Sequence, residues 1–237
     1  MSKPKPYTAN FYLSQQGGSL RSAEEIVPLL IKLLNPKSVI DLGCGVGTWL
    51  SVFKKLGVED IQGVDGEWVN RTMLKIPQDR FLAHDLTQPI HLPRQFDLVM
   101  SLEVAEHLPK ECAEPFVDCL TRLGPVVLFS AAIPFQGGAD HVNEQWPDYW
   151  AELFLGKKYK AVDCIRKQIW KNDMVKYWYS QNMLMYVRGD YLESSPAFTH
   201  EYENTNATML SVVHPRHVLC ITNNQNMTLK QVIYCRS

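Results

Sequence analysis

The sequence predicts an α/β fold, a mostly parallel β-sheet with helices on both faces. Two observations carry this. The strand-like segments "SVIDLG" (38–43), "FDLVMSLE" (96–103) and "PVVLFSAAIP" (125–134) are apolar nearly throughout rather than alternating, as in strands buried on both faces. Segments with helix-like apolar spacing separate them in a regular alternation.

The elements follow in order. "SAEEIVPLLIKLL" (22–34) reads as a helix, with Ser22 as its N-cap and Glu25 three residues later. The strand 38–43 follows, then a helix near 47–56 and a second strand, "IQGVD" (61–65). "RFLAHD" (80–85) is a weaker third strand and 96–103 a strong fourth. "PKECAEPFVDCLTRL" (109–123) reads as a helix with Pro115 in its first half, and 125–134 as a fifth strand. Helical spacing returns near 147–156, and two β-rich stretches cover 160–166 and 181–188. Beyond Arg188 the pattern weakens. Residues 193–208 read as a loop, and "LSVVHPRHVLCIT" (210–222) as an extended stretch broken at Pro215. The chain divides into an N-terminal segment and first helix (1–36), a main domain (37–188) and a C-terminal appendage without an assigned role (189–237).

With 237 residues, 46% of them hydrophobic, the chain can bury one substantial core. A net charge of -1 without a long Lys/Arg cluster argues against a nucleic-acid binder driven by phosphate contacts. Six cysteines lie scattered without a CxxC pair, which fits reduced thiols better than a disulfide framework. "MSKPKPYTANFYLSQQGG" has no apolar signal core, and no later run is long enough to span a membrane; the expectation is a cytoplasmic protein. The sequons at Asn206 and Asn226 are then chance matches.

"VIDLGCGVGTWL" (39–50) places Gly43, Gly45 and Gly47 on a strand-to-helix turn, where the backbone can approach a ligand closely. The spacing is G-x-G-x-G, not the G-x-G-x-x-G of dinucleotide enzymes. Asp41, two residues before the first glycine, would repel a pyrophosphate but suits a ligand with ammonium and sulfonium groups. S-adenosylmethionine has both and no phosphate. Asp65 ends the second strand, where a carboxylate can accept hydrogen bonds from ribose hydroxyls. Asp85 follows the third, placed for an adenine amino group. An oxidoreductase using a nicotinamide cofactor is disfavoured by Asp41 and the glycine spacing.

With these motifs, "GVDGEW", "AHDLTQP" and "FDLVMSLEVAEHLP", residues 37–188 resemble a class I S-adenosylmethionine-dependent methyltransferase. The resemblance implies a Rossmann-like, seven-stranded, mostly parallel sheet with an antiparallel terminal hairpin. It implies that Gly43 and Gly45 line the methionine part of the cofactor, Asp65 binds the ribose and Asp85 the adenine, with Leu86 and Trp68 packing on the adenine ring. The segment 12–23 is a candidate cofactor lid.

"SLEVAEHLP" (101–109) crowds Glu103, Glu106 and His107 at the end of the fourth strand, where open α/β sheets bind ligands. A helical turn starting there would put both glutamates on one face with His107 beside them. The loop after the fifth strand carries His141. Together these four make a candidate site for a divalent metal such as Mg²⁺ or Mn²⁺, in which Glu106, His107 and His141 are the candidate catalytic residues. The E-x-x-E-H arrangement with a later histidine resembles metal-dependent O-methyltransferases acting on ubiquinone precursors or on the 3′-terminal ribose of small RNAs. Without a metal, His141 is the candidate general base. Aromatics crowd 146–179; most read as core, with Asn143 and Gln145, then Arg166 and Lys167, as polar contacts for an acceptor. "DHVNEQWPDYW" (140–150) is similar to bacterial glycan or secondary-metabolite methyltransferases, which implies a small hydroxylated acceptor. Alternatives are metal-free N- or C-methylation, RNA 3′-end 2′-O-methylation and a catalytically silent cofactor-binding scaffold.

Overall fold

A computed structural model of the protein describes residues 9–224. Its helices are α1 (Ala9–Leu34), α2 (Thr48–Lys55), α3 (Ala113–Leu123), α4 (Pro147–Gly156), α5 (Arg166–Ile169), α6 (Tyr177–Asn182), α7 (Gly189–Ser194), α8 (Pro196–Glu203) and α9 (Pro215–Asn224). Its strands are β1 (Ser38–Leu42), β2 (Asp60–Asp65), β3 (Phe81–Ala83), β4 (Leu98–Leu102), β5 (Val126–Ser130), β6 (Tyr159–Val162) and β7 (Leu184–Arg188).

The strands form one sheet in the order β3-β2-β1-β4-β5-β7-β6. The first five run parallel, while β7 is antiparallel to both β5 and β6. Strand side chains alternate between two cores. Leu98 and Met100 of β4, with Val126 and Leu128 of β5, pack into the core that holds Ile26 and Leu30 of α1 and Phe53 of α2. Their neighbours Val99, Val127 and Phe129 face the other way, toward Phe116 and Leu120 of α3 and Trp150 of α4. Two apolar faces explain why these strands carry no polar alternation. Chain order reverses at β1, with β2 on one side and β4 on the other, so the carboxyl ends of β1 and β4 flank a crevice. Among the described residues no helix is long and apolar enough to cross a membrane.

Several sequence expectations are corrected. Ser22 lies inside α1 instead of capping it: its hydroxyl donates to the Gly18 carbonyl at 2.8 Å and accepts the Lys176 N–H at 3.0 Å, so it carries no competing turn. Pro115 falls in the first turn of α3, where its missing N–H costs nothing. Residues 193–208 are not a loop and 210–222 are not extended: α7, α8 and α9 occupy most of both. Pro196 begins α8, and Pro215, read as a break in an extended stretch, begins α9, so both are helix starters. The chance sequon at Asn226 lies outside the described residues.

Candidate active site

The turn between β1 and α2 is shaped by backbone. Gly43, Gly45 and Gly47 all have positive φ (85°, 54° and 79°). A side chain at Gly43 would also collide with Val104, the second residue after β4, so only glycine lets the two segments touch. The Gly43 and Cys44 amides donate to the Val64 carbonyl at 2.8 and 3.2 Å, and the Asp65 carboxylate accepts from the Gly45 and Gly66 amides at 2.7 Å each. Asp65 thus pins the glycine loop to β2. Burial pushes its pKa up and the two amides oppose the rise. Asp41 is buried with no such donors; burial and then the Asp65 charge push its pKa up to about 8. A cationic ligand group would relieve that cost.

This loop forms one end of a cavity of about 340 Å³, lined there by Asp41, Gly43, Gly45 and Trp49. Ser19 of α1 also reaches it, placing part of the N-terminal segment at the cavity wall. Asp65, Asp85, Leu86 and Trp68 are not among its lining residues. Asp85 is exposed, its carboxylate accepting from the Thr87 amide and hydroxyl at 3.0 and 2.8 Å. Leu86 is buried in the α3 core, and the half-exposed Trp68 ring lies over Gly66.

Glu103, Glu106, His107 and His141 line the cavity too. No helical turn starts at Glu103. Its φ is 56°, an uncommon conformation for a residue with a side chain, and its amide donates to the Ser130 carbonyl of β5 at 2.9 Å. The 3₁₀ turn begins later, over Ala105–His107. The two glutamates therefore part company. Glu103 accepts from Asn182 at 3.1 Å and Gln136 at 2.8 Å. Glu106 instead joins His107 and His141, their ligand atoms all within 4.8 Å of one another. The four residues expected to share a site are brought together as three.

The loop after β5 reaches this point because the Glu106 carbonyl accepts the Val142 and Asn143 amides at 2.8 and 3.0 Å. The His107 and His141 rings meet edge to face, 4.8 Å between centroids. His107 Nδ1 lies 3.4 Å from the Asp140 carbonyl, which can only accept, so that nitrogen carries the proton. Burial, then the neighbouring His141, pushes the His107 pKa down. His141 Nδ1 bonds the Glu144 carboxylate at 2.9 Å, and Glu144 is held by the Phe135 and Gly137 amides at 2.8 Å each. Both rings therefore carry the Nε2 lone pair when neutral. Glu106 is fully buried and no side chain donates to either carboxylate oxygen; the backbone amides of Glu106 and Ala132 are its only nearby donors among the described residues. Burial, reinforced by Glu103, lifts its pKa well above the usual carboxylate range.

Sequence reading missed Glu144, Gln136 and Asn182. Glu144 had a faint local signal, three residues after His141; the two amides had none. Of the expected acceptor contacts, Arg166 is buried, bonded to Asp163 and to the Gln181 and Leu210 carbonyls, and Lys167 pairs with Glu201. Asn143 is buried and Gln145 donates to it, and neither lines the cavity. Trp150 and Phe154 are core, as expected, whereas Tyr177 and Trp178 line the cavity.

Residues 15–153 match the family model described as a methyltransferase domain, and the chain belongs to that family. With this fold, it is a class I S-adenosylmethionine-dependent methyltransferase. Among solved structures, the sugar N-methyltransferase KedS8 from Streptoalloteichus aligns with a TM-score of 0.61 at 13% identity, covering 79% of this chain and 95% of its own. Magnesium protoporphyrin IX methyltransferase (ChlM) from Synechocystis, with bound S-adenosylmethionine, gives 0.53 at 19%, covering 77% and 86%. The methyltransferase domain of bacterial CtHen1 gives 0.52 at 20%, covering 71% and 98%. At these identities the likeness is one of fold. No curated protein matches the chain.

Proposed function

We propose that this methyltransferase acts on a hydroxyl of a small molecule bearing neighbouring hydroxyls, such as a sugar, and that Glu106, His107 and His141 hold a divalent cation at the acceptor end of the cavity. The observation that carries this is Glu106: a fully buried carboxylate that no side chain hydrogen-bonds and that two backbone amides compensate only in part, beside two imidazoles that both present Nε2. A buried carboxylate so weakly compensated is costly, and a cation is the compensation this donor set suits. The Asp140 carbonyl and Glu144 behind the two rings are the orienting partners that metal-bound histidines use. A divalent cation would supply acidification of a coordinated hydroxyl.

The protein's own residues do the rest. Gly43 and Gly45 give the cofactor's methionine part access to the backbone, and Asp41 faces its ammonium. Asp65 keeps the loop in place through the Gly45 amide and is the acceptor for the ribose hydroxyls. In this reading Asp85 and Leu86 border the adenine, and Tyr177 and Trp178 wall off the acceptor from water. Methyl transfer from a sulfonium needs an in-line nucleophile, so positioning supplies much of the rate. KedS8 is described as a sugar N-methyltransferase, so a sugar acceptor has a precedent on this fold.

A second reading has its own observation. Glu144 fixes His141 with the proton on Nδ1, which leaves Nε2 as a general base for an acceptor hydroxyl or amine without a metal. Label transfer from methyl-tritiated S-adenosylmethionine to catechol, hexoses, nucleosides and amino sugars separates the two. The proposal expects label on a vicinal diol, lost with a chelator and restored by Mn²⁺. Label on amines alone, indifferent to chelator, would overturn it in favour of the second.

A further inference from the structure

Glu103 is surrounded by donors: burial pushes its pKa up, and hydrogen bonds from Asn182, Ser130 and Gln136 oppose the rise. Asn182 donates to its Oε1 at 3.1 Å and Gln136 to its Oε2 at 2.8 Å. A side-chain amide can turn either its oxygen or its nitrogen toward a carboxyl group, and here the choice is made one step further out. Gln181 Oε1 accepts the backbone N–H of His214 at 2.9 Å. A backbone N–H only donates. The Gln181 nitrogen therefore faces the other way, donating to Asn182 Oδ1 at 3.0 Å and Gln136 Oε1 at 3.2 Å. With both oxygens occupied, Asn182 and Gln136 must turn their nitrogens to Glu103. Gln181 and Asn182 are both buried, so water does not compete for these bonds.

The segment carrying His214 is itself anchored. Arg166, buried and paired with Asp163, donates to the carbonyls of Leu210 and Gln181 at 2.6 and 3.1 Å. Glu103 stands beside the cofactor loop, because β1 and β4 are neighbours and Val104 packs on Gly43.

We propose that the segment 210–214 works through this amide relay to aim the Glu103 carboxyl group at the methyl-transfer end of the cavity, where it receives the positive charge of a cationic centre, the cofactor's sulfonium or an amine in its place. Gln181 is a positioning residue in this scheme, and Glu103 meets the ligand. A carboxylate that has accepted these bonds still has lone pairs for the cavity it lines. The inference rests on the methyltransferase reading for the identity of the cation, but not on a metal or on any particular acceptor.

Two cofactor analogues test it: S-adenosylhomocysteine, which is neutral at sulfur, and sinefungin, which carries an amine where the sulfonium methyl would be. Calorimetry on the full chain gives the ratio of their dissociation constants. Glu103→Gln is expected to cut the preference for sinefungin roughly tenfold, a partly buried charge interaction, while S-adenosylhomocysteine affinity stays within about twofold. Gln181→Met should move the ratio the same way by about threefold, with retained S-adenosylhomocysteine binding reporting an intact fold. In the intact chain, NMR should show the Asn182 and Gln136 side-chain amide protons exchanging slowly with water.

An unchanged ratio in Glu103→Gln overturns the inference alone. Exchange of those amides at the rate of exposed ones overturns the relay, whatever the Gln181 variant does. Failure of the intact chain to bind either analogue overturns the cofactor assignment and this inference with it.

Discussion

The two ends of the cavity hold their acids by different means. Behind the glycine loop that forms one end, Asp65 is fixed by backbone amides one and 20 positions away in the chain. At the acceptor end, Glu103 is fixed by side-chain amides 33 and 79 positions away, and His141 by the side chain of Glu144. Backbone donors come with the turn and survive most substitutions, provided glycine allows the turn. Side-chain donors can be replaced one residue at a time. Under the proposed function, one end would keep its ligand constant and the other could be retuned, which fits a fold that combines one cofactor with many acceptors.

The largest effect should come from the backbone-built end. Gly43→Ala forces a side chain into positive φ, roughly 1–3 kcal/mol by itself, and drives it into Val104. S-adenosylhomocysteine binding is expected to disappear in calorimetry and the melting temperature to fall. Adding Val104→Ala should restore only the part due to collision. Next comes Glu144→Gln, which disturbs the orientation of His141. Turnover or metal affinity should fall roughly 10–100-fold, with S-adenosylhomocysteine affinity unchanged; an equal loss of both would erase the proposed division between the ends.

A pH series on Asp41 sharpens the comparison. Its pKa is raised from 3.8 to about 8, so the associated stability is fully present below 3.8 and is lost as pH rises through about 8. The ligand-free chain should therefore lose stability over that window, and Asp41→Asn should flatten the loss. Binding of S-adenosylhomocysteine, through its ammonium, should strengthen as pH rises toward 8, by up to about tenfold per unit. Smallest of all is Asp85→Asn. The residue is exposed and Asn preserves the acceptor for Thr87, so stability should stay within about 0.5 kcal/mol. Analogue affinity should drop roughly threefold if Asp85 bonds the adenine amino group.

The sequence revealed most where chemistry and chain order coincide. The apolar strands, the glycine turn and the positions of the acids at the ends of β1 and β2 and after β4 could all be read because each depends on residues a few positions apart. Pro215 misled because a proline that breaks an extended stretch and one that starts a helix look alike without the following turn: Pro215 begins α9. The partition of Glu103 from Glu106 was invisible for another reason. It depends on a positive φ at Glu103 and on Asn182 arriving from a helix 79 positions away. Arg166 and Asn143, read as acceptor contacts, are buried instead, since a polar residue in an aromatic stretch gives no sign of which way it faces.

The most direct test of the acceptor-end assignment is a calorimetric titration of Mn²⁺ into the full chain saturated with S-adenosylhomocysteine, alongside Glu106→Ala and His141→Ala. The account predicts one saturable site in the intact chain, lost in both variants. Absence of binding in the intact chain, or binding that survives both substitutions, would contradict a metal held by Glu106, His107 and His141.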